Sequence, residues 1–350
     1  MRKLIILLIL ACLNGPFAAA QNPEPVALSD SSSWCMVLIP DPQTYTKFDY
    51  NHPTFELMMH WIKQNKRRLN IRLVLCTGDL VEQNQRTVPD GVNGNLPSDK
   101  QWQFVSDAFG ILDDVVPYIL CTGNHDHGFD RAENRYSQLN SFFPANRKSL
   151  YTGLLKGMFK NEAENAWYEF QAPGGDRFLI VSLEFNPRAA VVAEAKALAN
   201  KPEYSEHKVI YLTHSYMDSK GRRIEKEGYK ITDVTCGKAL WEKLVEPSAN
   251  SSMVLCGHVV DEMSHRGHVG FRTDKNRAGR TVNQMMFNAQ AEGGGWHGNG
   301  GDGWLRILEF HPDGKTVTVH TFSPLFAVSP STVGLSLRTE PYDHFSFSLE

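Results

Sequence analysis

Short apolar runs, each ending in a polar, often glycine-containing turn, recur along this chain. Trp34–Ile39 leads into Pro40-Asp41-Pro42-Gln43, Leu73–Cys76 into Thr77-Gly78-Asp79, and Tyr118–Cys121 into Thr122-Gly123-Asn124-His125-Asp126. Val209–Leu212 leads into Thr213-His214-Ser215, and Met253–Cys256 into Gly257-His258. Continuous apolar runs of this length predict strands buried on both faces. Between them lie stripes at helical spacing: Phe55, Met58, Met59 and Ile62, then Trp102, Val105, Phe109 and Leu112. Residues 187–199 and 238–245 predict two more helices. Strands alternating with helices predict parallel pairing with the helices outside. Two antiparallel pairs complete the pattern, Ala166–Phe170 with Arg177–Leu183 and Trp304–Phe310 with Thr316–Phe322, turning at Pro173-Gly174-Gly175 and Pro312-Asp313-Gly314.

The chain has 350 residues, 41% hydrophobic and 21% charged, which is ample for a real core. Lys plus Arg is 36 against Asp plus Glu 39, and no basic stripe stands out, so no nucleic-acid partner is expected. The first twenty residues read as a signal peptide: Arg2 and Lys3, the apolar run Leu4–Leu13, a Gly15-Pro16 break and Ala18-Ala19-Ala20 before a cleavage point near Gln21. The apolar run is half of the roughly 20 residues a bilayer span needs, so no stable membrane span is expected. The alternative is a lipoprotein anchored at Cys12, but Leu10 fits that pattern poorly. The expected product is exported, periplasmic or secreted, and carries one domain over residues 33–325 followed by a tail over 326–350. Removing Arg2 and Lys3 takes the charge from −3 to −5. Cys35, Cys76, Cys121, Cys236 and Cys256 have no framework spacing, and all but Cys236 sit in apolar runs that suit a buried thiol.

Five strands end in residues able to hold a metal: Asp41, Asp79, Asn124, His214 and His258. Functional groups gather beyond the carboxyl ends of strands in α/β sheets, so these residues, distant in sequence, are expected to meet. Carboxylate, amide and imidazole together suit Mn, Zn or Fe. The series Asp41-Pro42-Gln43, Gly78-Asp79, Gly123-Asn124-His125-Asp126, His214 and Gly257-His258 resembles the calcineurin-like metallophosphoesterase superfamily over residues 37–258. That resemblance implies an α/β four-layer sandwich of two mixed β-sheets flanked by helices, with one or two divalent metal ions. It implies that Asp79 bridges the metals, that Asn124, His214 and His258 complete one of them, and that Asp41 binds the other. It makes His125 the histidine that serves the leaving oxygen, held by Asp126. The implied reaction is hydrolysis of a phosphate mono- or diester by metal-activated hydroxide.

Two departures fall on the same metal. Gln43 replaces the family's histidine in Asp-x-His, and Val260 replaces the second histidine of Gly-His-x-His. Gln43 is left to offer an amide oxygen, and His265 or His268 are either substitute ligands or ordinary loop histidines. A chain that keeps the fold as a binding or scaffold protein is the alternative these losses sustain. Arg188 and Arg272 are candidate phosphate contacts, with surface arginine as the plainer alternative. His127 and Arg131 are placed to border the substrate or merely to lie in a solvated loop. Residues 293–303, rich in glycine, predict a loop at the site mouth with Trp296 or His297 near substrate. The stretch from Asp130 to Glu164, with Arg135, Tyr136, Phe142 and Phe143, predicts a lid or substrate wall.

Overall fold

The computed structural model describes residues 26–147, 153–261 and 263–350. The expected signal peptide and Cys12 lie outside them. The apolar runs become strands of two different sheets. β1 (Trp34–Ile39), β2 (Ile71–Cys76) and β3 (Tyr118–Leu120) pair in parallel. The chain then builds a second sheet. There β4 (Leu155–Met158), β5 (Ala166–Gln171) and β6 (Arg177–Ser182) pair antiparallel, and β6, β7 (Lys208–Leu212) and β8 (Ser251–Cys256) run parallel. β9 (Val269–Lys275) forms the edge against β10 (Thr281–Phe287), which itself runs parallel to β8. The chain finally returns to the first sheet. β11 (Leu305–Phe310) pairs antiparallel with β1 and β12 (Thr316–Phe322) with β11, while β13 (Leu337–Arg338) and β14 (Phe345–Ser348) both pair with β12.

Every residue of β1 is buried because the strand has apolar neighbours on both sides. Cys35, Val37 and Ile39 pack outwards on Phe55, Met58, Ile62, Val105 and Phe109 of the helices His52–Asn65 and Ser98–Gly110. Trp34, Met36 and Leu38 point the other way, into a layer shared with Ile180, Ile210, Leu212, Met253 and Leu255 of the second sheet. Trp34 stacks on Phe310 there, with ring centroids 4.1 Å apart. The outer face of the second sheet, Leu179, Val209, Tyr211 and Val254, is covered by Val191, Val192, Leu240 and Leu244. The last two lie on the turn Gly237–Leu240 and the wider helical turn that follows it to Val245. Helix, sheet, sheet, helix is the four-layer order expected.

β9 and β10 were not legible in advance. Asn283 and Gln284 interrupt the apolar pattern of β10 although every residue of that strand is buried. Their amides are satisfied by neighbours: Asn283 accepts from Thr273 and donates to the Ser348 carbonyl, and Gln284 accepts from Tyr216 and Arg223. Residues 326–350, expected as a tail, include β14, whose register runs from Thr316↔Ser348 to Val319↔Phe345. Phe142 and Phe143 pack on Trp102 and Phe109 as core rather than as a substrate wall. The cysteines Cys35, Cys76, Cys121, Cys236 and Cys256 are buried free thiols. No helix among the described residues is long and apolar enough to cross a membrane.

The C-terminal segment is tied in by a charge pair. Arg306, fully buried on β11, donates to the Tyr342 carbonyl at 2.8 Å and to Asp343 at 3.3 Å, and Asp343 also faces His265 at 3.1 Å. Asp343→Ala would leave a guanidinium buried without its carboxylate, a loss of about 3–5 kcal/mol. Chemical denaturation checks this. Most of the loss should return in Arg306→Met/Asp343→Leu, and a loss under about 1 kcal/mol would mean that water already satisfies the pair.

Candidate metal centre

The turns after β1, β2, β3, β7 and β8 meet at one end of the two sheets. Their approach is so close that side chains are excluded. A Cβ on Gly123 would stand 2.1 Å from an Asp79 oxygen, and one on Gly257 would stand 2.0 Å from an Asp41 oxygen. Asp79 and His258 are themselves in the left-handed region, at φ of 50° and 72°. Strain of this kind persists only where surroundings enforce it, and it gathers at functional sites.

His214 is the centre of the cluster. Its Nε2 lies 3.1 Å from Asp79 Oδ2, 3.1 Å from His258 Nδ1 and 3.2 Å from Asn124 Oδ1. Ligand atoms of Asp79, His214 and His258 all fall within 4.8 Å of one another. The outward nitrogens fix both tautomers. His214 Nδ1 is 2.8 Å from the Thr77 carbonyl, which only accepts, so Nδ1 carries hydrogen. His258 Nε2 is 3.3 Å from Glu227 Oε1, so it too donates outward, while Ser215 donates its hydroxyl to the same carboxylate. Hydrogen bonds from His258 and Ser215 outweigh burial and hold Glu227 below the usual carboxylate range. Two imidazole lone pairs, a carboxylate and an amide oxygen therefore aim at one point.

Such an arrangement needs a positive charge at its centre. Burial alone would pull the His214 imidazole down, but Asp79 and Asp41 outweigh it and push it up to about 10. The Asp79 carboxyl is pulled the opposite way: burial would raise it, yet His214 and His125 hold it well below the usual range. A proton on His214 or a cation satisfies the donors equally. Donor separations of 3.1–3.2 Å are close to those expected for nitrogen and oxygen ligands about 2.0–2.1 Å from a common ion. The residues present fit a metal.

The Asp41 side differs. Asp41 is buried, and burial with the nearby Asp79 charge pushes its carboxyl up to about 6 although His214 works against this. Its oxygens accept from the Thr77 hydroxyl at 2.8 Å, the His258 amide at 2.8 Å and Asn288 Nδ2 at 2.7 Å. Gln43 turns its Nε2 to Asp79 Oδ2 at 3.0 Å, which presents a donor where a metal needs an acceptor. The amide oxygen expected from Gln43 faces no partner.

A model of the family described as calcineurin-like phosphoesterase matches residues 38–262. The chain belongs to that family. It is similar to the uncharacterized protein YvnB of Bacillus subtilis (strain 168), 26% identical over 294 residues. That match covers 83% of this chain and 20% of YvnB, so the chain spans about a fifth of that relative's length. Among solved structures it resembles one titled GAP50, the anchor in the inner membrane complex of Plasmodium, at 12% identity and a TM-score of 0.44, over 83% of this chain and 85% of that one.

The histidine of the family's Gly-Asn-His-Asp element is held differently from expectation. His125 Nδ1 faces the Glu82 carbonyl at 2.8 Å, with the Glu82 carboxylate 3.5 Å away. Asp126 does not hold it. In a single 3₁₀ turn adjacent side chains diverge, and Asp126 accepts instead from the amides of Gly123 at 2.8 Å and Val81 at 3.0 Å. Burial and the Asp79 charge push the Asp126 carboxyl up to about 7 against those bonds. Glu82 was missed, although its place three residues after Asp79, on the same turn, was an available signal. Lys47 was missed too. Its ammonium is buried 3.9 Å from Glu82 and 3.6 Å from the centre of the Trp296 ring, which also tilts against His125 at 5.8 Å. Burial pulls Lys47 down to about 8 while Glu82 resists.

Other candidates have structural partners. Arg188 pairs with Glu184 at 2.8 Å and with Glu162, and Arg272 with Asp274 at 2.7 Å. His127 is buried between the Thr122 hydroxyl and the Arg135 carbonyl. His265 and His268 are buried rather than solvated, and neither joins the converging ligand atoms. His297 tilts against Phe48 at 5.9 Å.

Displacement of the His214 proton by a cation should release about one proton per ion near pH 8. Calorimetric Mn²⁺ titration in buffers of different ionisation enthalpy measures this, and no release would mean that His214 is neutral in the free protein. Glu227→Gln should weaken the same binding about 10–100-fold, since it loosens the carboxylate that orients His258.

Proposed function

We propose that the protein is an exported metal-dependent phosphoesterase acting on phosphate mono- or diesters. The reading is supported above all by four donors converging on one point beside His125. Asp79, Asn124, His214 and His258 would hold the ion, and Mn, Zn or Fe suits their mixture of oxygen and nitrogen. A divalent ion there would lower the pKa of water and neutralise the phosphoryl oxygens. His125 donates its Nδ1 hydrogen to the Glu82 carbonyl, which leaves Nε2 to deliver a proton to the leaving oxygen. Lys47 and Trp296 stand on the side of the site next to His125. Export rests on the sequence of residues 1–20, and the acidic balance supports a small or surface-bound ester rather than a nucleic acid.

A second reading, a binding or scaffold protein, draws on Asp41. Three hydrogen-bond donors already occupy that carboxylate, so a second cation has little left to bind there.

Hydrolysis of a chromogenic monoester and a chromogenic diester, with Mn, Zn or Fe(II) added, tests the choice. Turnover should vanish in Asp79→Asn and fall about 10²–10⁴-fold in His125→Ala. A folded, metal-loaded protein that turns over neither ester would favour the binding reading.

A further inference from the structure

A cleft of about 400 Å³ opens next to the metal centre, lined by Asp130, Arg131, Glu227, Gly228, Tyr229 and Lys230. Glu227 is the carboxylate that orients His258, and the Tyr229 ring lies 6.1 Å from the His258 ring. The cleft therefore begins where the metal ligands end.

Its walls are built rather than incidental. Ala132, Phe185 and Ile231 form a small apolar core of their own, with Tyr229 packed against it and edge-on to Phe185 at 5.0 Å. The Ile231 amide donates to the Ala132 carbonyl at 3.0 Å, joining the two walls. Arg135 fastens them from behind through the carbonyls of Phe185, Asn186, Thr232 and Asp233. Arg131 and Ala132 are consecutive non-glycine residues in the left-handed region, at φ of 52° and 57°. That costly turn buries Ala132 in the small core and leaves Arg131 at the surface, 54% exposed. Backbone strain held by so many contacts is a device for placing a side chain.

The hydrogen-bonding capacity left over in the cleft is mostly that of donors. Glu227 already serves His258 and Ser215. Among the described residues Arg131 makes one ion pair, to Asp130 at 3.8 Å, with Glu82 and Tyr229 also within reach of its charge, and no hydrogen bond reaches the Tyr229 hydroxyl or the Lys230 ammonium. A guanidinium, an ammonium and a phenol line the cleft beside two carboxylates, of which Glu227 is already taken up by His258 and Ser215 and Asp130 faces Arg131. The complementary ligand supplies anionic oxygens.

We propose that this cleft receives the alcohol arm of the substrate, and that the arm carries a second anionic group recognised by Arg131, Lys230 and the Tyr229 hydroxyl. This rests on the phosphoesterase reading for the reacting phosphate, which sits at the metal centre. The substrate class is then a phosphate ester with a carboxylate or further phosphate on its alcohol, rather than a simple alkyl or aryl ester.

The test compares glycerol 3-phosphate, 3-phosphoglycerate and glycerol 1,3-bisphosphate, which share a small arm with no extra charge, a carboxylate or a phosphate. At low salt the KM of at least one anionic-arm ester should lie about tenfold or more below that of glycerol 3-phosphate, the order of one charge-assisted hydrogen bond. Whichever of the two gains more identifies the group. Arg131→Gln with Lys230→Gln should bring the preferred ester within about twofold of glycerol 3-phosphate, whose own KM should hardly move. Both positions are exposed, so the thermal transition should be unchanged, and Tyr229→Phe should lose part of the preference. Equal KM values in the unaltered protein, or a preference that survives the double substitution, overturn the proposal. Should none of the three be hydrolysed, calorimetric binding of the same compounds to the Mn²⁺-loaded full chain decides. A binding preference that the double substitution erases keeps the cleft and sinks the monoester form of the catalytic reading, leaving the chromogenic diester to test the other, whereas no preference sinks the cleft.

Discussion

Lone pairs from two imidazoles, a carboxylate and an amide crowd around His214 Nε2, and a positive charge between them stabilises that arrangement. Much of the surrounding structure serves to keep them there. The Thr77 carbonyl and the Glu227 carboxylate each take the outer hydrogen of one imidazole, which turns the bare nitrogen inward. Gly123 and Gly257 let the turns close to distances no side chain permits. Asp79 and His258 bear left-handed backbones, each at a cost of about 1–3 kcal/mol, just past the ends of β2 and β8, whose pairing fixes the chain leading into them. The face-to-face packing of two sheets is thus what brings His214 and His258, at the ends of β7 and β8, to residues of β2 and β3.

The site is lopsided. On the His214 side, acceptors outnumber donors and a cation is wanted. On the Asp41 side the reverse holds: Thr77, Asn288 and the His258 amide all donate to Asp41, and Gln43 donates to Asp79. The resemblance implied that Asp41 anchors a second metal. In this structure the Asp41 carboxylate also braces the turn that carries His258, by accepting from the His258 amide. Gln43 and Val260 stand on this side, where the family's motifs carry histidines.

The strands that carry the site were legible because they are buried on both faces and read as unbroken apolar runs. β10 escaped because Asn283 and Gln284 are paid for by side-chain partners that come from elsewhere in the chain. The residues pointing directly at the cluster stood out, each placed just past its own strand. Their supports did not. Glu227 comes from an irregular loop 31 residues before His258, so no spacing could link it to that histidine. Adjacency misled in the case of Asp126, where a tight turn sends neighbouring side chains apart and hands His125 to Glu82. Trp296 was legible only as part of a glycine-rich loop, and its seat over Lys47 depends on a contact across about 250 residues of chain.

The most direct measurement is a crystal structure of the protein grown with Mn²⁺, with the ion located by its anomalous scattering. The account predicts one strong site bonded to Asp79 Oδ2, Asn124 Oδ1, His214 Nε2 and His258 Nδ1, with Asp41 still held by Thr77 and Asn288. No ion among those four atoms, or two equal ions with Asp41 and Gln43 drawn in as ligands, would contradict it.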